Sequence, residues 1–274
     1  MVEYHGIIRD VTEQRRARAR LARTARALRR SNAELEQFAY VASHDLQEPL
    51  RKIRAFGDRL STVLAGELDD GASDDLRRMI DGARRMQALI DTLLLYSRVS
   101  SGPVARRPVD LGATVAEVVE DLEPTITGAG AQLDIGPLPI IEADPIRMRQ
   151  LFQNLIANAV KYARDRTPPR IRLHAESLDE RHRPVPAEHP EAVLARIRVE
   201  DNGIGFEPED AERIFELFQR LHRRDEFEGT GIGLAVCRRI VARHHGTLSA
   251  RGTPGGGATF TVVLPRTQER HDDH

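Results

Sequence analysis

A histidine beside an acid, in Phe38–Arg51 (FAYVASHDLQEPLR), is the first place in this chain of 274 residues where side chains could do chemistry. Asp45 follows His44 directly, and Glu48 lies one helical turn on. An anionic neighbour can hold one imidazole tautomer and make the opposite ring nitrogen a better nucleophile. Pro49 has no N–H for the carbonyl of Asp45, and its ring crowds that turn. The helix is therefore expected to be loosened beside His44.

A second group of candidates recurs along the C-terminal half. In Gln150–Tyr162 (QLFQNLIANAVKY), Asn154, Asn158 and Lys161 fall at i, i+4 and i+7, one polar stripe beside an apolar face. Amide oxygens suit a hard cation such as magnesium, and lysine suits phosphate. Lysine occurs only at Lys52 and Lys161 in this arginine-rich chain. Val199–Phe206 (VEDNGIGF) ends an apolar strand pattern with Asp201, Gly203 and Gly205. A carboxylate there can accept from an exocyclic amine, while the glycines let backbone approach a flat ring. Gly229-Thr230-Gly231-Ile232-Gly233-Leu234 opens a helix, where glycine-rich N–H groups suit phosphate oxygens. It lacks the Gly-Lys-Ser/Thr ending of a Walker loop and has no surrounding βαβ unit. Between these motifs Phe215, Phe218, Arg220, Leu221 and His222 precede the charged run 223–228, read as a mobile lid with aromatic anchors, with Arg220 in reach of a terminal phosphate. Gly255–Phe260 (GGGATF) introduces the last strand.

The elements holding these residues fall into two parts. A helix reads from Asp10 to Leu64, with Leu21, Leu28, Leu35 and Ala42 recurring every seven residues as a coiled-coil-like seam. Gly66–Ser73 forms a turn, with Ser73 or Asp74 as N-cap. A second helix runs to Arg98 with an apolar face that includes Leu76, Ile80 and Ala83. Two antiparallel helices leave too much apolar surface uncovered, so two copies closing a four-helix bundle are expected. Ser100–Pro108 reads as a linker into a mixed α/β part. Helices are expected at 111–127, from Pro145 (capped by Asp144) to Ala163, at 209–220 and at 232–245. Strands are expected at 132–135, 140–142, 170–176, 195–200, 246–251 and 258–264. The charged, proline-rich stretch 177–193 reads as a solvated loop.

Composition narrows the classes further. The net charge of −1 removes the basic surface that nucleic-acid binding needs. The basic run 15–30 alternates with Ala and Leu and reads as a solvated helix face. Cys237 is the lone cysteine, so no internal disulfide forms and a reducing, cytoplasmic setting fits. No run is long and apolar enough for a membrane span, and no direct membrane contact is expected.

These motifs, in this order, resemble those of the sensor histidine kinases of two-component systems. HDLQEPLR resembles their H box, in the form found in bacteriophytochrome-type and PAS-linked kinases. The later motifs resemble the N box, glycine boxes and F box of a Bergerat-type (GHKL) ATP domain, shared with gyrase, mismatch-repair and heat-shock ATPases. The resemblance implies a multi-domain chain: an all-α helical hairpin that dimerises as a four-helix bundle, plus a two-layer α/β Bergerat-fold ATP-binding domain. The expected division is 1–14 as the end of a PAS-like sensor, 15–100 as signalling helix and phosphotransfer hairpin, 101–109 as linker, 110–266 as catalytic domain and 267–274 as tail. It implies ATP and Mg²⁺ as cofactors, His44 as phosphoacceptor and Asp45 as the acid/base residue orienting it. Asn158 would ligate Mg²⁺, Lys161 contact phosphate, Tyr162 lie against adenine and Asp201 read its amino group. Gly203 and Gly205 would line the base pocket, Gly229, Thr230, Gly231, Gly233 and Leu234 carry lid and phosphate contacts, and Thr259 lie near the adenine. Phe215 and Arg220 complete the implied nucleotide site. Asn154 stands where the related ATPases place a water-activating Glu, which favours a kinase. Glu48 departs from the Thr or Asn that phosphatase-active members carry there. Partners are then a second copy and a separate response regulator. The start (YHGIIRDVTE) resembles the end of a PAS domain, so a sensor is expected upstream.

Overall fold

The computed structural model describes residues 20, 23–24, 46–101, 105–164, 167–187, 189, 193–219, 221, 227 and 231–267, without the side chains of 89 and 91–101. The PAS-like end, nearly all of the coiled-coil seam and the tail beyond 267 lie outside them.

Helix α1 covers 46–63 and continues through Pro49, whose missing bond falls at the start of this described stretch. A turn over 64–69 leads into α2 (Asp70–Ser101). The cap of α2 is Asp69, whose carboxylate accepts from Ala72 N–H at 2.6 Å, rather than Ser73 or Asp74, which sit inside the first turns. Leu50 and Gly57, seven residues apart, face α2. A Cβ on Gly57 would stand 2.6 Å from Ile80, so glycine sets the close approach of the two helices. Ile80 and Ala83 are buried opposite, and Arg84 reaches Asp58 at 3.0 Å. A second stripe on α1, comprising Leu46, Ile53, Phe56, Leu60 and Val63, remains exposed with a and d spacing.

The α/β part begins earlier than its pattern suggests. The stretch expected to be a linker contains the end of α2 and a strand, β1 (Arg107–Asp110). It pairs antiparallel with β3 (Ile140–Ala143), apart from the main sheet. Asp110 caps α3 (Leu111–Asp121) by accepting from Ala113 N–H. Pro124 restarts the chain as α4 (Glu123–Gly128), so the single helix expected over 111–127 is two. The main sheet runs β2 (Gln132–Ile135), β4 (Arg170–Leu178), β6 (Leu194–Asp201), β8 (Gly257–Pro265), β7 (Thr247–Thr253), with β5 (Pro184–Val185) paired to the end of β4. Only β2 and β4 are parallel among these pairs. The expected loop over 177–193 thus carries a short hairpin, fixed by Asp179, which accepts from the N–H groups of Arg181 and Arg183. Those N–H groups and the Arg183 guanidinium hold the Asp179 carboxyl below its ordinary value.

Alternation decides what covers the sheet. Ala195, Ile197 and Val199 of β6 point into the core, while Arg196, Arg198 and Glu200 face the other way. Helices α3, α5 (Pro145–Lys161) and α6 (Gly233–Arg243) supply the opposite wall with Val115, Leu151, Leu155 and Val236, all fully buried. The result is two layers, helices on one face of a mostly antiparallel sheet. Helix α2 also packs against α6. Among the described residues of the helix expected at 209–220, 209–219 form no α-helix: the chain makes two 3₁₀ turns, Pro208–Asp210 and Arg213–Phe215, and Phe218 takes φ 65°. The sequence has apolar residues at helical spacing here (Ala211, Ile214, Phe215, Phe218), but the chain buries only Ile214 and Phe215 and turns away at Phe218. Among the described residues no helix is long and apolar enough to cross a membrane.

Candidate functional site

Helix α5 is placed by both its ends. At the start, the Asp144 carboxylate accepts from the N–H groups of Ile146 and Arg147, with Pro145 in the first turn as expected. The Asp144 N–H donates to Nε2 of the fully buried His244, the C-cap of α6, at 3.0 Å. The ring proton is therefore on Nδ1, which donates to the carbonyl of Ile240 at 2.8 Å. Burial pushes the His244 pKa down, so the ring is neutral and joins the two helices as donor and acceptor together.

At its other end α5 stops at Tyr162, whose carbonyl accepts from Ile204 N–H at 2.9 Å. This bond joins α5 to the loop after β6. A Cβ on Gly203 would lie 2.4 Å from that same carbonyl. Gly205 has φ +66°, and a Cβ there would lie 2.0 Å from the carbonyl of Thr253. Both glycines thus serve backbone packing before any ligand arrives.

Between these elements lies a cavity. Asn158 and Tyr162 of α5, Asp201 of β6, Gly205 and Leu234 line it, with Ile204, Phe206, Ile214, Gln219, Leu221, Ala258 and Phe260. The walls are apolar except at a few side chains, the usual make-up of a site for a flat ligand. Asp201 Oδ1 accepts from Gly203 N–H at 2.8 Å and Ala258 N–H at 3.2 Å; neither bond uses Oδ2. Burial pushes the Asp201 carboxyl above its ordinary value, and the two N–H donors only partly oppose this. Lys161 Nζ donates to the Tyr162 hydroxyl at 3.1 Å and sits 4.5 Å from the centre of that ring. Phe227 stands on the same tyrosine, with ring centres 5.1 Å apart and planes tilted by 50°.

Of the residues singled out in the sequence, Asn158, Tyr162, Asp201, Gly205 and Leu234 meet at this cavity. Lys161 and Gly203 touch its lining residues. Asn154 turns toward α6: its Oδ1 lies 3.4 Å from where a Gly233 Cβ would be, near Cys237, whose thiol donates to the Leu151 carbonyl at 3.8 Å. Gly231 takes φ +72° just ahead of α6. Phe215 is buried in the core with Arg238 5.3 Å over its ring. Thr259 pairs across the sheet with Glu200, and its neighbours Ala258 and Phe260 are the lining residues. His44, Asp45, Arg220, Gly229 and Thr230 lie outside the described residues. Of the lining residues, Ile214 and Gln219 belong to no motif singled out in the sequence: one apolar residue such as Ile214 looks like any core position, and nothing local marks Gln219. Ile204, inside the DNGIG run, was the available clue.

Comparison with known proteins gives two family matches: "Histidine kinase-, DNA gyrase B-, and HSP90-like ATPase" over residues 143–268, and "His Kinase A (phospho-acceptor) domain" over 34–102. The chain is 40% identical over 245 residues to the phytochrome-like protein Cph1 of Synechocystis sp., covering 89% of this chain and 31% of that one. It is 40% identical over 255 residues to cyanobacterial phytochrome A of Nostoc sp., covering 92% and 32%. The chain therefore spans about a third of the length of these relatives. Among solved structures, full-length ShkA in complex with AMPPNP matches with a TM-score of 0.61 at 24% identity, over 85% of this chain and 46% of that one. The histidine kinase ThkA in complex with the response regulator TrrA matches with a TM-score of 0.57 at 20% identity, over 96% and 70%. At these identities the structural matches speak for the fold alone.

Proposed function

The chain belongs to the sensor histidine kinases with a GHKL-type ATP-binding domain, and on that premise we propose that it uses Mg·ATP to phosphorylate His44 and passes the phosphoryl group to an aspartate of a response regulator. The observation that carries this reading is the cavity shared by Asp201, Asn158 and Tyr162 between apolar walls. Adenine fits between those walls, with its amino group donating to Asp201. The amide oxygen of Asn158 suits a hard cation at the phosphate end. Among the described residues no group of three or more His, Cys, Asp or Glu could hold a metal, which fits an ion drawing most of its ligands from phosphates and water. Magnesium, when bound, supplies charge neutralisation on those phosphates. With nucleotide bound, Lys161 exchanges the Tyr162 hydroxyl for a phosphate oxygen, a stronger, charge-assisted partner, a role supported by its contact with a residue of the cavity wall.

In the transfer, an imidazole nitrogen of His44 attacks the γ-phosphorus in line. An N–P bond forms, the bond from phosphorus to the ADP oxygen breaks, and ADP leaves with that electron pair. Asp45 holds the imidazole tautomer that leaves the attacking nitrogen unprotonated. The N–P bond is labile enough to pass the group on to a carboxylate of the regulator. The exposed stripe of α1 supports a second copy as its cover, closing a four-helix bundle. Use of ATP fits a cytoplasmic setting.

Incubation with ³²P-labelled ATP and magnesium tests the reading. Acid-labile, base-stable label is expected on the wild type and absent from His44→Gln, with ADP binding retained. Acid-labile label persisting on His44→Gln refutes the acceptor assignment, and steady ATP hydrolysis without label refutes the kinase.

A further inference from the structure

The contact between Phe227 and Tyr162 links the nucleotide cavity to a residue of the run 223–228 that the sequence reading did not single out by itself. Tyr162 is constrained from several directions. Its backbone carbonyl is tied to Ile204, and its hydroxyl accepts from Lys161 Nζ. Its ring lies under the Lys161 ammonium and against Phe227, while also lining the cavity. A tyrosine at a helix C-cap has free choice of side-chain rotamer unless neighbours restrict it. The tilted arrangement at 5.1 Å is within the range where aromatic quadrupoles attract.

We propose that Phe227 is a positioning residue for the nucleotide: it holds the Tyr162 ring in the orientation that walls the base end of the cavity, and through that ring it sets where Lys161 rests. The proposal relies on the assignment of the cavity to ATP made above. Phe227 touches neither base nor phosphate in this role. It acts by sparing the nucleotide the cost of ordering Tyr162, so its removal weakens binding without removing any contact to the ligand. Because Lys161 rests on the same ring, the effect includes the phosphate end. ATP and ADP both lose affinity when Phe227 is truncated, whereas adenosine, which offers Lys161 nothing, loses less.

A double-mutant cycle on the whole chain tests this, using titration of ADP and adenosine by calorimetry. Phe227→Ala is expected to weaken ADP binding by about threefold to tenfold, the range of one aromatic pair. Phe227→Tyr, which keeps the ring, is expected to stay within about twofold of wild type. Phe227→Ala added to Tyr162→Ala is expected to cost nothing further, because the partner is already gone. Melting temperatures without ligand separate a folding defect from a positioning one, and the tyrosine variant keeps the test open should the alanine variant fail to fold. Unchanged ADP affinity in Phe227→Ala, equal loss in Phe227→Tyr, or additive losses with Tyr162→Ala overturn the inference while leaving the nucleotide site intact. Failure of the wild-type chain to bind ADP overturns the ATP assignment itself.

Discussion

Replacing Asp201 by Asn separates what this carboxylate does for the ligand from what it does for the fold. Asn keeps the size and one acceptor oxygen, so the bonds from Gly203 and Ala258 N–H can both survive on Oδ1. The other side-chain atom becomes an NH₂ donor where adenine also presents a donor. Loss of a hydrogen bond to a charged acceptor is worth about 1.5–3 kcal/mol, so ADP affinity should fall by roughly tenfold to a hundredfold. Stability should move the other way. Burial raises the folded-state pKa of Asp201, which means the ionised form is disfavoured in the fold at neutral pH. The stability associated with a raised carboxyl pKa is fully present below the unfolded value of 3.8 and is lost as pH rises through the folded value. A neutral amide avoids that loss, so Asp201→Asn should melt at or above the wild-type temperature at pH 7.5. Calorimetric ADP titration and ligand-free thermal melts on the same preparations give both numbers. Unchanged ADP affinity, or lost affinity explained by a lower melting temperature, refutes the reasoning.

Two further outcomes follow from groups away from the base. His244 is buried neutral between Asp144 N–H and the Ile240 carbonyl, with Asp144, Arg147 and Arg106 as the charged groups around it. Its pKa is lowered on folding, so its contribution is present above the unfolded value of 6.5 and is lost as pH falls through the folded value. Ligand-free melting temperature should drop as the solution is acidified below that point, and a His244→Gln variant should lose that part of the slope. On α1, Phe56 is 62% exposed within the uncovered stripe. Burying a phenylalanine is worth about 1.5–3 kcal/mol, and a twofold interface contains it twice. Phe56→Glu should therefore weaken self-association by about a hundredfold or more in sedimentation experiments, and an unaltered dimer would rule out this face as the interface.

How far the sequence carried the description differs between its parts. Helix α5 was readable because its start is coded locally, by Asp144 and Pro145, and because its apolar stripe has one period throughout. The strands β4, β6 and β8 were placed for the same reason, although their order in the sheet rests on pairings that no local pattern states. Strand β1 went unread because Arg107-Pro-Val-Asp110 has one buried residue and is held by β3, with paired residues 30 to 36 positions apart. The helix expected at 209–220 failed for the converse reason. Its acidic residues suit a first turn and Ala211, Ile214, Phe215 and Phe218 have helical spacing, but only Ile214 and Phe215 are buried and Phe218 takes a left-handed φ that no local pattern states. At the site, Asp201 and Asn158 were evident from their type, whereas Phe227 was not, since its importance exists only once the fold sets it against Tyr162.

Asn154 shows how packing can enforce the choice between phosphorylating a protein and hydrolysing ATP. The resemblance gives the related ATPases a water-activating Glu at this position. Here the side chain faces α6, close to the backbone at Gly233 and near the Cys237 thiol, which itself donates to the Leu151 carbonyl. Cys237 is fully buried, and burial pushes its thiol up to about 12, a sign of how poorly this neighbourhood tolerates negative charge. A carboxylate at 154, a partly buried position, would meet part of that penalty beside the thiol. The amide meets none of it, because it carries no charge at any working pH. The place of Asn154 beside Gly233 adds a contact between α5 and α6 to the role at the nucleotide that the resemblance implies for it.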